Sequence, residues 1–345
     1  MTAEARHELF SRVDTLLDPP HPLPDLHLHR VELLAARRWR ELGVAVPPEL
    51  VAQERKAAAT AMAAPVLLER IRAVVDGPLM LMKGPELARL YPDPGTRACR
   101  DLDIVVPEAP AVQRRLIAAG FREAGDAHLF EHIHHMRPLY WPGLPLLLEV
   151  HRGLKWIPYF EQPAPTKLFE AAVPSQTGIR GILAPSPEHH ALMLTVHAWA
   201  HGPLSRLRDL IDIAVAASEA DSHEIRRLAG DWGVQRVWTT TARAIRAVLG
   251  DGRKPASLAI WARHLNAVRE QTVLEAHVQN WLCAMWVLPY GRAVSTAATA
   301  FGADLVPQEG ETWGSKLSRT RASLANAFIR KSQHDEALDA ARGGP

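Results

Sequence analysis

The sequence predicts an α+β fold: a small mixed sheet with flanking helices, preceded by N-terminal helices and followed by a C-terminal helical bundle. Three observations carry this. Residues 76–185 alternate short apolar runs with turn residues in a β-α-β-α-β-β order. The segments on either side space their apolar residues three and four apart, the signature of helix. Hydrophobic residues make up 47% of the 345, enough for a real core. The expected divisions are a helical segment at 1–75, the sheet at 76–185, a bundle at 186–250 and a helical extension at 251–345 with a frayed tail.

Glu49 to Val75 has few breakers apart from Pro65, and reads as one helix ended by Asp76-Gly77-Pro78. Leu79-Met80-Leu81-Met82 is a buried strand stopped by Lys83-Gly84-Pro85, with Pro85 suited to a first helical position. Glu86 to Tyr91 is a short helix. Asp101 to Val106 is a strand, Ala111 to Ala119 a helix closed by Gly120. Residues 128–136 and 145–151 are expected as strands, joined by a turn at Pro142-Gly143, with the helices on one side of the sheet. Glu188–Ala200, Leu204–Ser218, Ser222–Gly230 and Val234–Leu249 read as four helices with short loops, hence antiparallel neighbours.

Lys and Arg number 40 against 38 Asp and Glu, so there is no strong general nucleic-acid footprint, although an RNA end stays open as a partner. No stretch reaches the 18 apolar residues of a membrane span, and Met1 to Leu17 does not read as a signal peptide. Two cysteines, Cys99 and Cys283, make neither a metal pattern nor a disulfide framework, and a cytoplasmic location is expected. The abundance of Ala, Arg and Pro is of the kind a GC-rich bacterial genome produces.

The chemistry concentrates on the central strands. Residues i and i+2 of a strand face the same way, so Asp101 and Asp103 stand side by side with Leu102 turned away. Two such carboxylates can hold Mg²⁺ and leave positions for phosphate oxygens. Glu149, inside the apolar run Leu146–Val150, supplies a third carboxylate; a charge there needs a partner. His151 shares the face of Glu149 and could orient it or contact phosphate. An isolated Asp-x-Asp usually marks a turn or solvated strand; its setting between Lys83-Gly84 and Glu149 raises its meaning.

Leu79–Gly84, Tyr91–Arg97, Arg100–Val106 and Leu148–His151 together resemble the uncharacterised nucleotidyltransferase family of the DNA polymerase β-like superfamily, and Leu192–Asp212 resembles its helical part. The likeness covers roughly residues 60–250. It implies transfer of a nucleoside monophosphate from a nucleoside triphosphate, ATP first among the candidates, to a small molecule, protein or RNA end. Asp101, Asp103 and Glu149 would ligate Mg²⁺ or Mn²⁺, with Glu149 also a base. The superfamily usually has Gly-Ser at the strand–helix turn, where this chain has Gly84-Pro85, and Pro has no N–H to offer. The expected phosphate grip therefore falls to Lys83, Gly84, Arg97 and Arg100, with His151 beside them.

Other polar clusters have two readings each. His128, His132, His134 and His135 near Glu131 are strand residues at the site's mouth or, less well specified, a zinc site. His197 and His201 share a helix face but lack the Glu of a metalloprotease. They, with Arg206, Arg208, Asp209 and Asp212, either link bundle to sheet or face substrate. The ten Trp residues are expected as core or groove walls. The rival functions are a catalytically silent nucleotide-binding or interaction protein of the same fold and, last, a zinc hydrolase.

Overall fold

The computed structural model describes residues 3–130, 133–250, 262–307 and 309–335. Four helices open the chain: α1 (Ala3–Leu16), α2 (Leu23–His29), α3 (Glu32–Glu41) and α4 (Pro48–Val74). The sheet region follows as β1 (Met80–Leu81), α5 (Pro85–Ala88), β2 (Asp101–Val105), α6 (Ala109–Ala118), β3 (Arg122–Glu123), β4 (Leu139–Tyr140), β5 (Leu147–His151), α7 (Pro165–Glu170), β6 (Val173–Pro174) and β7 (Leu183–Ala184). The bundle is α8 (Pro187–His201), α9 (Leu207–Ala217), α10 (Ser222–Asp231) and α11 (Gln235–Leu249). Beyond it lie α12 (Arg263–Asn266), α13 (Val273–Val287), α14 (Tyr290–Leu305) and α15 (Trp313–Ala325).

The strands form one mixed sheet in the order β3-β4-β5-β2-β1-β7-β6. β2 and β5 run parallel in its middle, with Asp103 opposite Glu149 and Asp101 opposite Leu147. β1 is antiparallel to β2 and parallel to β7. The alternation in these strands sorts their side chains between two cores. Leu102, Ile104, Leu148 and Val150 pack with Leu67, Leu68 and Ile71 of α4 and Leu116 of α6. Met80, Met82 and Val105 face the other way and join a larger core with Leu192 and Val196 of α8, Ile211 of α9 and Leu34 of α3. Each fully buried Leu or Ile contributes roughly 1.5–3 kcal/mol. A one-residue slip of β2 would bring Asp101 and Asp103 into the α4–α6 core, so the hydrophobic pattern locks the register that aims the carboxylates.

Two expectations need correction. Helices do not cover one side only: α4 and α6 pack on one face, and the bundle meets the other. No strand forms among the described residues of the expected strand 128–136. Asp126 accepts the His128 N–H at 3.1 Å, Gly125 turns with φ 79°, and Ala127–Phe130 closes into a 3₁₀ turn. Among its described residues an isolated bridge, His135 to His151, is what pairs, and β4 pairs with β5 instead. Glu131 and His132 lie outside the described residues, as do 251–261 and 336–345 of the helical extension.

The N-terminal helices share the bundle's core rather than forming one of their own: Phe10, Val13 and Leu17 of the first segment pack in the same cluster as Leu210 and Val237. The C-terminal extension is tied back through Arg330, which makes two 2.8 Å contacts to buried Asp25. Among the described residues, no helix is long and apolar enough to cross a membrane.

Candidate active site

Asp103 is the best-held of the three carboxylates. It is buried, and His151 Nε2 lies 2.9 Å from its Oδ1 while Lys83 Nζ lies 3.7 Å from its Oδ2. Burial alone would raise its pKa, but Lys83 and the His151 hydrogen bond outweigh burial and hold it well below the usual carboxylate range. Asp101, at the cavity edge, is pushed the other way by burial and by the charge of Asp103. Glu149 is pushed up to about 7 by burial, then by Asp103 and Asp101.

Glu149 Oε2 lies 3.7 Å from His151 Nε2 and 3.6 Å from His135 Nε2. One ligand atom each from Asp103, Glu149 and His151 falls within 4.8 Å of the others. This donor set of two carboxylates and an imidazole, with Asp101 on the same face, fits a divalent cation. Burial first, then the neighbouring carboxylates, raises the pKa of Glu149 and of Asp101, and the buried His151 Nδ1 has no partner.

The carboxylates form one wall of a cavity of about 620 Å³, in the size range of small-molecule sites. The turn beneath it is rigid. Gly84 has φ 62°, and a Cβ there would stand 3.0 Å from Cys99 Sγ. Pro85 follows as the first residue of the single-turn α5. Buried Glu86 anchors that turn through the Ser175 hydroxyl and the Gln176 N–H.

The expected phosphate-grip residues separate in space. Lys83 reaches the site, bridging Asp103 and His197 Nε2, the latter at 3.0 Å. Burial, then Lys83, keeps the His197 pKa well below its ordinary value, so a neutral imidazole accepts from the ammonium. Arg97 lines the cavity but its side chain is only 4% exposed. Its Nε and Nη2 meet both oxygens of Asp212 at 2.8 and 2.9 Å, and its Nη1 donates to the Gly84 carbonyl at 3.2 Å. Tyr91 completes the network, donating to Asp212 at 2.7 Å. Arg97 thus ties the turn to α9, with its guanidinium committed. Arg100 stands at the rim, 3.5 Å from Glu32.

The histidines supply walls. His134 and His135 line the cavity, and burial, then His151, lowers His134 to about 3. His201 receives Lys155 Nζ at 2.8 Å. Sequence reasoning missed Lys155 and Arg30, both cavity-lining; no local pattern marks either.

A mixed sheet whose central parallel strands aim carboxylates into a cationic cavity is the architecture of a nucleotidyltransferase. The chain belongs to the uncharacterised nucleotidyltransferase family, which matches residues 23–250. The match starts earlier than the sequence likeness from about residue 60 and takes in α2, α3 and Arg30. No curated protein and no solved structure matches the chain.

Proposed function

We propose that the protein transfers a nucleoside monophosphate from a nucleoside triphosphate, ATP being the first donor to test, to a hydroxyl- or phosphate-bearing acceptor. The reading rests on one observation above the others: Asp103, Glu149 and His151 converge within 4.8 Å, with Asp101 beside them on the face of a large cavity. Mg²⁺ or Mn²⁺, when bound, would neutralise charge on the phosphates. Asp101, Asp103 and Glu149 are the residues to hold it. His151 fixes the orientation of Asp103, and Lys83 places a positive charge beside both Asp103 and the cavity. Glu149, on the cavity face beside Asp103, is placed to accept the acceptor's proton as the acceptor oxygen attacks the α-phosphorus and pyrophosphate leaves. The acceptor is a small molecule, a protein or an RNA end, and the setting is the cytoplasm.

The Gly84-Pro85 turn favours a second reading, a silent relative that binds nucleotide without transfer, because Pro85 cannot donate a backbone hydrogen bond to phosphate. Incubation with each labelled triphosphate, Mg²⁺ or Mn²⁺ and a pooled cell extract separates the two. The first reading expects label transfer that disappears in Asp101→Asn/Asp103→Asn. Transfer persisting in that variant removes the site assignment, and metal-dependent binding without transfer supports the silent relative.

A further inference from the structure

The carboxylate wall faces three arginines that make no close ion pair with any described residue. Arg30 ends α2, Arg206 precedes α9 and Arg208 lies in the first turn of α9. All three line the cavity and are half-buried. None forms an ion pair or side-chain hydrogen bond with a described residue, and the Arg208 Nε is buried without a partner. Burial, then Arg208 and Arg206, lowers the pKa of Arg30 to about 10. Asp209 lies among them and its charge favours all three, but it is one carboxylate against three guanidinium groups. Arg30 also holds a left-handed backbone, φ 56° and ψ 39°.

We propose that Arg30, Arg206 and Arg208 seat the polyphosphate tail of a nucleoside triphosphate. The proposal rests on the nucleotidyltransferase reading of the carboxylates and supplies what the Gly84-Pro85 turn lacks. That turn offers no donor at Pro85, and Arg97 is committed to Asp212. Guanidinium forks match phosphate oxygens in pairs, and several of them converging on one cavity suit a group with several anionic oxygens. Arg208 and Arg30 also act favourably on the Asp101 anion, which places the seat next to the metal-binding wall. The tail is thereby held by the helical side of the cleft, and the α-phosphate is left toward the carboxylates.

Calorimetric titration of the full chain in EDTA tests the seat apart from any metal. The probes are inorganic tripolyphosphate, ATP and AMP. Wild type binds tripolyphosphate and ATP and binds AMP at least tenfold more weakly. Arg206→Ala/Arg208→Ala loses about tenfold in tripolyphosphate affinity per arginine, about 100-fold in all. Arg206→Lys/Arg208→Lys recovers part of it. Equal tripolyphosphate affinity in wild type and the Ala variant overturns the proposal. AMP binding as tight as ATP also overturns it, and assigns the arginines to a monophosphate such as one on the acceptor. If the double variant does not fold, Arg30→Gln in the same titration carries the same expectation of about a tenfold loss. A tripolyphosphate site lost in the variants, in a protein that never transfers label, keeps the seat and removes the transferase reading. Transfer with an unchanged ATP KM in the arginine variants does the reverse.

Discussion

The two walls of the cavity are built in opposite ways. The sheet wall comes from two short strands in which chemistry alternates with core: Asp101 and Asp103 beside Leu102 and Ile104, Glu149 and His151 beside Leu148 and Val150. The helical wall is gathered from the end of α2, the start of α9 and the last turns of α8, residues as far apart as Arg30 and Arg208. The first wall is positioned by strand register, which the hydrophobic pattern enforces directly. The second is positioned by how the N-terminal helices, bundle and sheet pack together. A variant that loosens the packing should therefore harm the helical wall first and leave the carboxylates paired.

The largest effect is expected where the sheet wall is cut. Asp103→Asn keeps the volume but removes the charge that Lys83 and His151 both address, and with it one candidate metal ligand. Label transfer should fall by about a hundred- to a thousandfold, in the range seen when a principal electrostatic element is removed, while circular dichroism stays unchanged. A variant retaining a tenth of wild-type transfer would move the reaction away from this wall.

Next is the joint between the walls. Arg97→Ala leaves Asp212 charged, buried and without its bidentate partner. Breaking a buried pair from one side costs about 3–5 kcal/mol. Chemical denaturation should show a loss of that order, and Arg97→Ala/Asp212→Asn should recover part of it. A stable Arg97→Ala protein with only a raised ATP KM would instead make Arg97 a phosphate ligand.

Much of the sheet wall was legible in the sequence because strand period and burial are local. Asp101, Asp103 and Glu149 needed only alternation and an apolar surrounding to be put on one face, and the register of β2 against β5 agrees. In 128–136 the alternation is outweighed, among the described residues, by the turn at Gly125 and Asp126, a local competitor that alternation does not encode. The helical wall was scarcely legible. Arg206 and Arg208 looked like members of a linking network with Asp209 and Asp212, but Arg97 arrives from 115 positions away to take Asp212. No pattern in a single sequence encodes that choice of partner, and Arg30, at the end of a seven-residue helix, has no local signal at all.

A buried histidine behind the helical wall gives the fold an acid sensitivity. His190 on α8 is buried, and burial lowers its pKa to about 4 against the opposing hydrogen bond to the Met82 backbone. Its folded pKa lies below the unfolded value, so below pH 6.5 the unfolded chain takes up a proton that the folded chain refuses. Stability is therefore full above about 6.5 and falls as the pH drops toward 4, by about 3 kcal/mol at most. Melting temperatures at pH 7.5, 6 and 5 should show this decline, and His190→Gln should reduce it without abolishing it, because His197, His201 and His264 are lowered by burial too. An unchanged slope in His190→Gln would place the acid sensitivity elsewhere.

The smallest effect tests the hinge between the walls. Gly84 holds φ 62° where the strand leaves for α5, and an added Cβ meets Cys99 Sγ at 3.0 Å. Gly84→Ala therefore combines a positive-φ backbone penalty of roughly 1–3 kcal/mol with a contact that Cys99 must yield to. Cys99→Ala removes the sulfur and should relieve the contact but not the backbone term. The double variant should accordingly be more stable than the sum of the two single changes, by an amount read directly from a double-mutant cycle. Strict additivity would mean that the turn already tolerates a side chain. The glycine would then be kept for approach of a ligand to the backbone, which would return the phosphate grip to the turn and away from the arginine wall.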